Sequence, residues 1–220
     1  GDTNSHEDVF VRDLEAGVTT RVSVSGEGVQ GDGYSSQASV SEDGRYVLVA
    51  RVRSRGDNDG YSISIDGGGE VLLTRHTPPA TLVGGEFGRS ADQVFLGGNV
   101  ERDLHAFGRV VVRDGAAGAF EVLAERPDAE LSGFLINEQQ TLAVLNWNIA
   151  GRSELSFYEL GTNQHRTGKL ALPADLAGLG EFSRDGTKLA LVLSGSNAPA
   201  DIWILNVPDG KLEQITRSPH

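Results

Sequence analysis

Four times along the chain an apolar or serine entry leads through a polar turn into an apolar strand. The two clearest copies are Val40-Ser41-Glu42-Asp43-Gly44-Arg45-Tyr46-Val47-Leu48-Val49 and Phe182-Ser183-Arg184-Asp185-Gly186-Thr187-Lys188-Leu189-Ala190-Leu191. Two worn copies lie between them, Phe87-Gly88-Arg89-Ser90-Ala91-Asp92-Gln93-Val94 and Leu135-Ile136-Asn137-Glu138-Gln139-Gln140-Thr141-Leu142. Aligned on Val47, Val94, Leu142 and Leu189, they recur at steps of 47, 48 and 47 residues. A fixed period of this length constrains the fold more than any composition, because each copy must be one structural unit stacked on the next.

Each unit has a second half, an alternating strand, a Gly or Asn turn and another strand. It reads Val9-Phe10-Val11-Arg12-Asp13 before Gly17, Ser62-Ile63-Ser64-Ile65-Asp66 before Gly69, and Val110-Val111-Val112-Arg113-Asp114 before Gly118. Leu155-Ser156-Phe157-Tyr158 before Asn163 and Ile202-Trp203-Ile204-Leu205 before Gly210 complete the set. Asp-Gly after a short strand supplies the positive φ that a tight hairpin needs, and the 29 glycines fit a chain that reverses often. The apolar spacing is two rather than 3.6, which disfavours helical solenoids. Four short antiparallel strands cannot bury both faces alone, and sheets packed face to face around an axis can. The expected fold is therefore all-β, a β-propeller of four full four-stranded blades plus a half blade, with a blade period of about 47 residues. The chain is expected to form one partial propeller domain over residues 1–220.

The phase of the repeat adds an expectation. The chain opens and closes on outer hairpins, so the first one lacks inner strands. An open arc exposes apolar sheet faces at both ends, and association into a homo-oligomer through those ends is expected, or closure into five blades with one of them thin.

The Ser-x-Asp-Gly turn, then Asp201-Ile202-Trp203-Ile204-Leu205-Asn206 and Gln214-Ile215-Thr216, is similar to the WD40-like repeat of TolB-type propellers. From about Tyr34 to His220 the chain more closely resembles the N-terminal propeller of prolyl oligopeptidase family serine peptidases, including acylaminoacyl peptidases. The resemblance implies a non-catalytic domain that gates substrate access to a separate α/β-hydrolase domain, which would then be its partner. An interaction scaffold, natural or recombined, that binds other proteins or peptides stays open beside it. Asp2-Thr3-Asn4 with Asp8-Val9-Phe10-Val11-Arg12-Asp13 resembles other bacterial WD40-like propellers more than the peptidases, which places a candidate junction near residues 31–34.

Chemistry is sparse. No Gly-x-Ser-x-Gly nucleophile elbow occurs, and the five histidines, His6, His76, His105, His165 and His220, are expected in solvated loops or at the ends, without a serine and carboxylate beside them. A propeller lactonase or lyase would need a central metal or acid/base cluster that this histidine pattern does not supply. Neither a cofactor nor a metal is expected. Gly26-Glu27-Gly28-Val29-Gln30-Gly31 matches a dinucleotide fingerprint, but the next residues, Asp32-Gly33-Tyr34-Ser35-Ser36, start no helix, so it reads as a loop. Asp57-Asn58-Asp59-Gly60 resembles part of a calcium loop; Arg55 falls where the first carboxylate belongs, and a polar turn is expected. Asp2, Asn4, His6 and Asp8 form a weak cation cluster at the chain start. Arg51, Arg53 and Arg55 alternate, so period two puts them on one side, either as a binding site for acidic peptide ends or as a solvated edge paired with Asp57 and Asp59. Trp147 and Trp203 read as sheet core.

Nineteen basic against thirty-one acidic residues give a net charge of −12, which disfavours nucleic acid and anionic membranes as partners. Zero cysteines exclude a disulfide scaffold and a thiol nucleophile. The chain starts at Gly1, has no methionine and shows no signal-peptide pattern, and the expectation is a piece of a longer, cytoplasmic protein.

Overall fold

A computed structural model describes residues 5–24, 29, 34–66, 69–168 and 170–219, with the backbone alone at Gln37. All regular structure among them is strand, and no helix is long and apolar enough to cross a membrane. The chain divides into two compact units, Gly1–Val122 and Leu123–His220.

The first unit opens with a hairpin, β1 (Phe10–Asp13) and β2 (Val18–Arg21). Its turn is built by Asp13, whose Oδ1 accepts the N–H groups of Glu15 and Ala16, and by Gly17 at φ +67°. A four-stranded antiparallel sheet comes next, β3 (Ser35–Val40), β4 (Tyr46–Ser54), β5 (Asp57–Ser64) and β6 (Glu70–Leu72), paired in sequence order. The second sheet holds β7 (Leu82–Phe87), β8 (Gln93–Gly98), β9 (Ala106–Arg113) and β10 (Ala116–Ala117), with β11 (Glu121–Ala124) also on β9. Alternation along β4 decides the packing. Val47 and Val49 turn to one side, where Val9 and Val22 of the opening hairpin cover them, and Leu48 turns to the other, against Phe87, Val94, Leu96 and Val110.

The second unit repeats the scheme with β12 (Glu130–Ile136), β13 (Leu142–Ile149), β14 (Arg152–Glu159) and β15 (Gln164–Arg166), then β16 (Leu176–Phe182), β17 (Lys188–Gly195), β18 (Ala198–Asn206) and β19 (Lys211–Gln214). Val144 and Leu155 of the first sheet pack on Ala177, Leu189, Leu191, Leu193 and Leu205 of the second. Trp147 is fully buried, as expected of sheet core, and Trp203 is half-buried against the same cluster.

The expected inner and outer hairpins are all present as strand pairs, but the period needs correction. The turn is closed by a donor at its first residue: Ser41 N–H to Tyr46 O, Gly88 N–H to Gln93 O, Asn137 N–H to Leu142 O and Ser183 N–H to Lys188 O. The equivalent positions are thus Tyr46, Gln93, Leu142 and Lys188, spaced 47, 49 and 46 residues apart. Leu142 matches Tyr46, not Val47, because Asn137 does the work of Ser41. Its Oδ1 accepts from Thr141 N and Leu142 N, where the Ser41 and Ser183 hydroxyls accept from Tyr46 N and Lys188 N.

Candidate functional site

The β4–β5 hairpin carries the three arginines singled out by spacing. Arg51 and Arg53 lie on β4, while Arg55 lies in the turn beyond it and is exposed. A register shift after Val52 breaks the strict alternation that would have put all three on one side. Arg51 is held three ways: to Glu70 at 2.7 Å, to the carbonyl of Val24 at 2.9 Å, and with its guanidinium 4.4 Å from the Tyr61 ring centroid. Arg53 pairs with Asp59, and its pKa rises through a hydrogen bond to Tyr61 and the Asp59 charge. Two of the three arginines therefore have partners within the chain.

Beneath them sits a cluster that spacing does not reveal. Asp57 and Asp59 face a histidine delivered by the connection between β6 and β7. His76 Nε2 lies 2.8 Å from Asp57 Oδ1, and Nδ1 lies 2.6 Å from the Thr74 carbonyl and 3.5 Å from Asp59 Oδ1. The imidazole side chain is 2% exposed. Burial alone would lower its pKa, but the hydrogen bonds to Asp57 and Thr74 and the two aspartate charges outweigh it, so His76 titrates above its ordinary value. Asp57 is held below the usual carboxylate range by His76 and by the Ala80 N–H, which donates to Oδ1 at 3.1 Å. Further bonds tie the same connection to β5: Gly60 N–H to Thr74 Oγ1, Asn58 N–H to Ala80 O, and Leu82 N–H to Asn58 Oδ1. Asp57-Asn58-Asp59-Gly60 is thus the start of strand β5 and not a turn, because its polar side chains find partners in the connection that folds over it.

His105 and His165 also depart from the solvated-loop expectation. His105 Nε2 is 2.6 Å from Thr81 Oγ1. His165 sits on β15, its Nε2 2.8 Å from Ser156 Oγ, which accepts the Trp147 indole N–H at 2.7 Å. Burial and the charge of Arg126 lower the His165 pKa. A serine and a histidine are therefore in contact, contrary to the expectation from sequence. Ser156 is buried and its lone pairs face an indole donor, so the pair secures β14 against β15 and does not present a nucleophile to solvent.

Asp8 of the N-terminal cluster is committed to Arg21 at 3.2 Å and Ser23 at 2.7 Å, and the His6 ring lies 4.5 Å from that of Tyr34. Asp2 and Asn4 lie outside the described residues, as does all of the glycine-rich stretch 26–31 except Val29, and positions 31–33 of the candidate junction. The first unit also has a cleft of about 700 Å³, lined by Asp43, Arg45, Asp66, Glu70, Asp92 and Asp114. Acids outnumber cations there, which the net charge foreshadows.

Solved structures share this fold. A prolyl endopeptidase matches 96% of this chain and 30% of its own at TM-score 0.71 and 18% identity. A puromycin-hydrolyzing peptidase of Mycobacterium tuberculosis matches 92% of this chain and 31% of its own at TM-score 0.70 and 14% identity. TolB from Acinetobacter baumannii matches 96% of this chain and 49% of its own at TM-score 0.67 and 11% identity. The chain thus spans about a third of these peptidases and half of TolB. No protein-family model and no curated protein matches the sequence. The fold class is the β-propeller, of the kind found in TolB and in the prolyl oligopeptidase type of peptidase.

Proposed function

We propose that this chain is the propeller portion of a prolyl-oligopeptidase-type serine peptidase, a non-catalytic domain that gates access to a hydrolase domain encoded with it. The observation that carries the reading is the fold match over 96% of this chain to only 30% of a prolyl endopeptidase, which leaves the greater part of such an enzyme for the chemistry. The histidines support it, since His76 and His165 are used up in buried contacts. Acidic peptide ends would meet Arg55 first, because Arg51 and Arg53 already hold internal partners.

The TolB match favours a second reading, a scaffold that binds protein partners through its sheet faces and loops. A fluorophosphonate probe applied to the natural full-length protein separates the two. A labelled serine outside residues 1–220 supports the gating reading, absence of label supports the scaffold, and a labelled serine within 1–220 overturns both.

A further inference from the structure

The cleft of about 700 Å³ in the first unit runs between the β3–β6 and β7–β10 sheets. Val71 of β6, Ala91 before β8 and Val112 of β9 give it an apolar lining that continues the layer around Leu48 and Val110. Ser62 of β5 breaks that lining. It is 4% exposed and turns into the cleft, while its neighbour Ile63 turns to the side covered by Val9 and Val22. The Ser62 hydroxyl has no hydrogen-bond partner among the described residues, and a buried hydroxyl is ordinarily satisfied. The repeat shows how the space arises. Tyr46 pairs with Ser64 and Leu142 with Glu159, so Ser62 is equivalent to Phe157, which packs into the apolar layer of the second unit. Where the second unit has an aromatic ring, the first has a hydroxymethyl group and a cleft.

Charge at the rim selects a cation. Asp43 accepts from the Ser41 hydroxyl and the Arg45 N–H, and Glu70 pairs with Arg51. Asp66, Asp92 and Asp114 line the cleft with no ion pair among the described residues, and Arg45 is the sole cation of the lining among them. No three acidic or histidine side chains among the described residues gather closely enough to hold a metal ion, so the spread of charge suits an organic cation. The backbone of β6 favours a peptide as its source. Among the described residues β6 is bonded to β5 alone. Leu73 N–H donates to Gly60 O and Ser64 N–H to Gly69 O, so the alternation of an antiparallel ladder turns the main-chain groups of Glu70 and Leu72 away from β5, and Glu70 borders the cleft. An extended peptide can bond to such an edge, and a free amine cannot.

We propose that this cleft binds an extended peptide through an arginine or lysine side chain. The aliphatic stem lies on Val71, Ala91 and Val112, the charge sits among Asp66, Asp92 and Asp114, and the Ser62 hydroxyl accepts a hydrogen bond from the bound cation. The site stands whether the chain gates a hydrolase domain or serves as a scaffold.

Titration calorimetry on the 220-residue chain tests this, with capped alanine pentapeptides bearing arginine, lysine or norleucine at the centre, and with spermidine. The arginine and lysine peptides are expected to bind, the norleucine peptide to bind at least about tenfold more weakly, and spermidine to bind more weakly than either basic peptide. Asp92→Asn combined with Asp114→Asn should weaken the arginine peptide about tenfold, and added salt should weaken it in the parent chain. Ser62→Phe, which refills the cleft as Phe157 does, should abolish binding. If that variant does not fold, the exposed Asp92 and Asp114 pair decides. No binding of either basic peptide at millimolar concentration overturns the proposal. So does equal binding of the norleucine peptide, spermidine binding as tightly as the peptides, or an affinity unchanged by the double aspartate variant.

Discussion

His76 and Asp57 form a charged pair in which the histidine donates from both ring nitrogens. Thr74 O, opposite Nδ1, can only accept, and Asp57 Oδ1, opposite Nε2, already accepts the Ala80 N–H. Below its raised pKa His76 is therefore an imidazolium with a proton on each nitrogen, flanked by Asp57 and Asp59 on β5, with Arg53 on β4 balancing the second carboxylate. The pair fastens the connection between β6 and β7 to the start of β5.

The stability of the first unit should follow the two titrations. The His76 pKa is raised, so its contribution is complete below its unfolded value near 6.5 and is lost as pH rises through the higher folded value. The Asp57 pKa is lowered, so its contribution is complete above 3.8 and is lost as pH falls through the lower folded value. Urea midpoints measured across pH should peak between these limits. In His76→Gln the alkaline decline should vanish, and an unchanged alkaline limb would show that the pair does not set it.

Removing one partner leaves the other charged and buried. His76→Ala should destabilise the protein by about 3 kcal/mol. The double variant His76→Ala with Asp57→Ala should cost less than the sum of the two single changes, and chemical denaturation in a double-mutant cycle reads that coupling.

Gly108 permits a close approach. A Cβ there would lie 2.5 Å from the carbonyl oxygen of Glu121, a backbone atom that cannot swing aside. Gly108→Ala should cost about 1 to 3 kcal/mol and loosen β11 from β9, read as faster amide exchange at Glu121 and Val122.

Asp185 should titrate far below an ordinary aspartate. The Ser183 hydroxyl and the Thr187 N–H and hydroxyl hold its pKa down to about 2. In Ser183→Ala, NMR titration of the Asp185 carboxyl should show an upward shift toward the normal value. The stabilisation that this turn draws from ionised Asp185 is present above 3.8 and is lost as pH falls through about 2.

The strands were legible because the devices that make them are local. Ser41 and Ser183 each cap a turn closed within five residues, so each copy writes its own signature. The worn copies misled by one position at Leu142, since Asn137 supplies the same acceptor as serine without resembling it. The charged cluster was illegible for the opposite reason: His76 lies 19 residues from Asp57, and only the path of the connection after β6 brings it over β5. Likewise His165 reaches Ser156 only through the pairing of β14 with β15. Arg51 and Arg53 were found by alternation, and Asp59, the partner of Arg53, was among those expected, but Glu70 on β6 and Tyr61 on β5 come from strands that alternation does not order.

That this chain supplies shape and not chemistry is tested most directly by assaying the purified 220-residue protein on aminoacyl and peptidyl esters, with and without Ser156→Ala. No turnover above buffer by either protein is the predicted result. Turnover by the parent chain that disappears in Ser156→Ala would contradict the account.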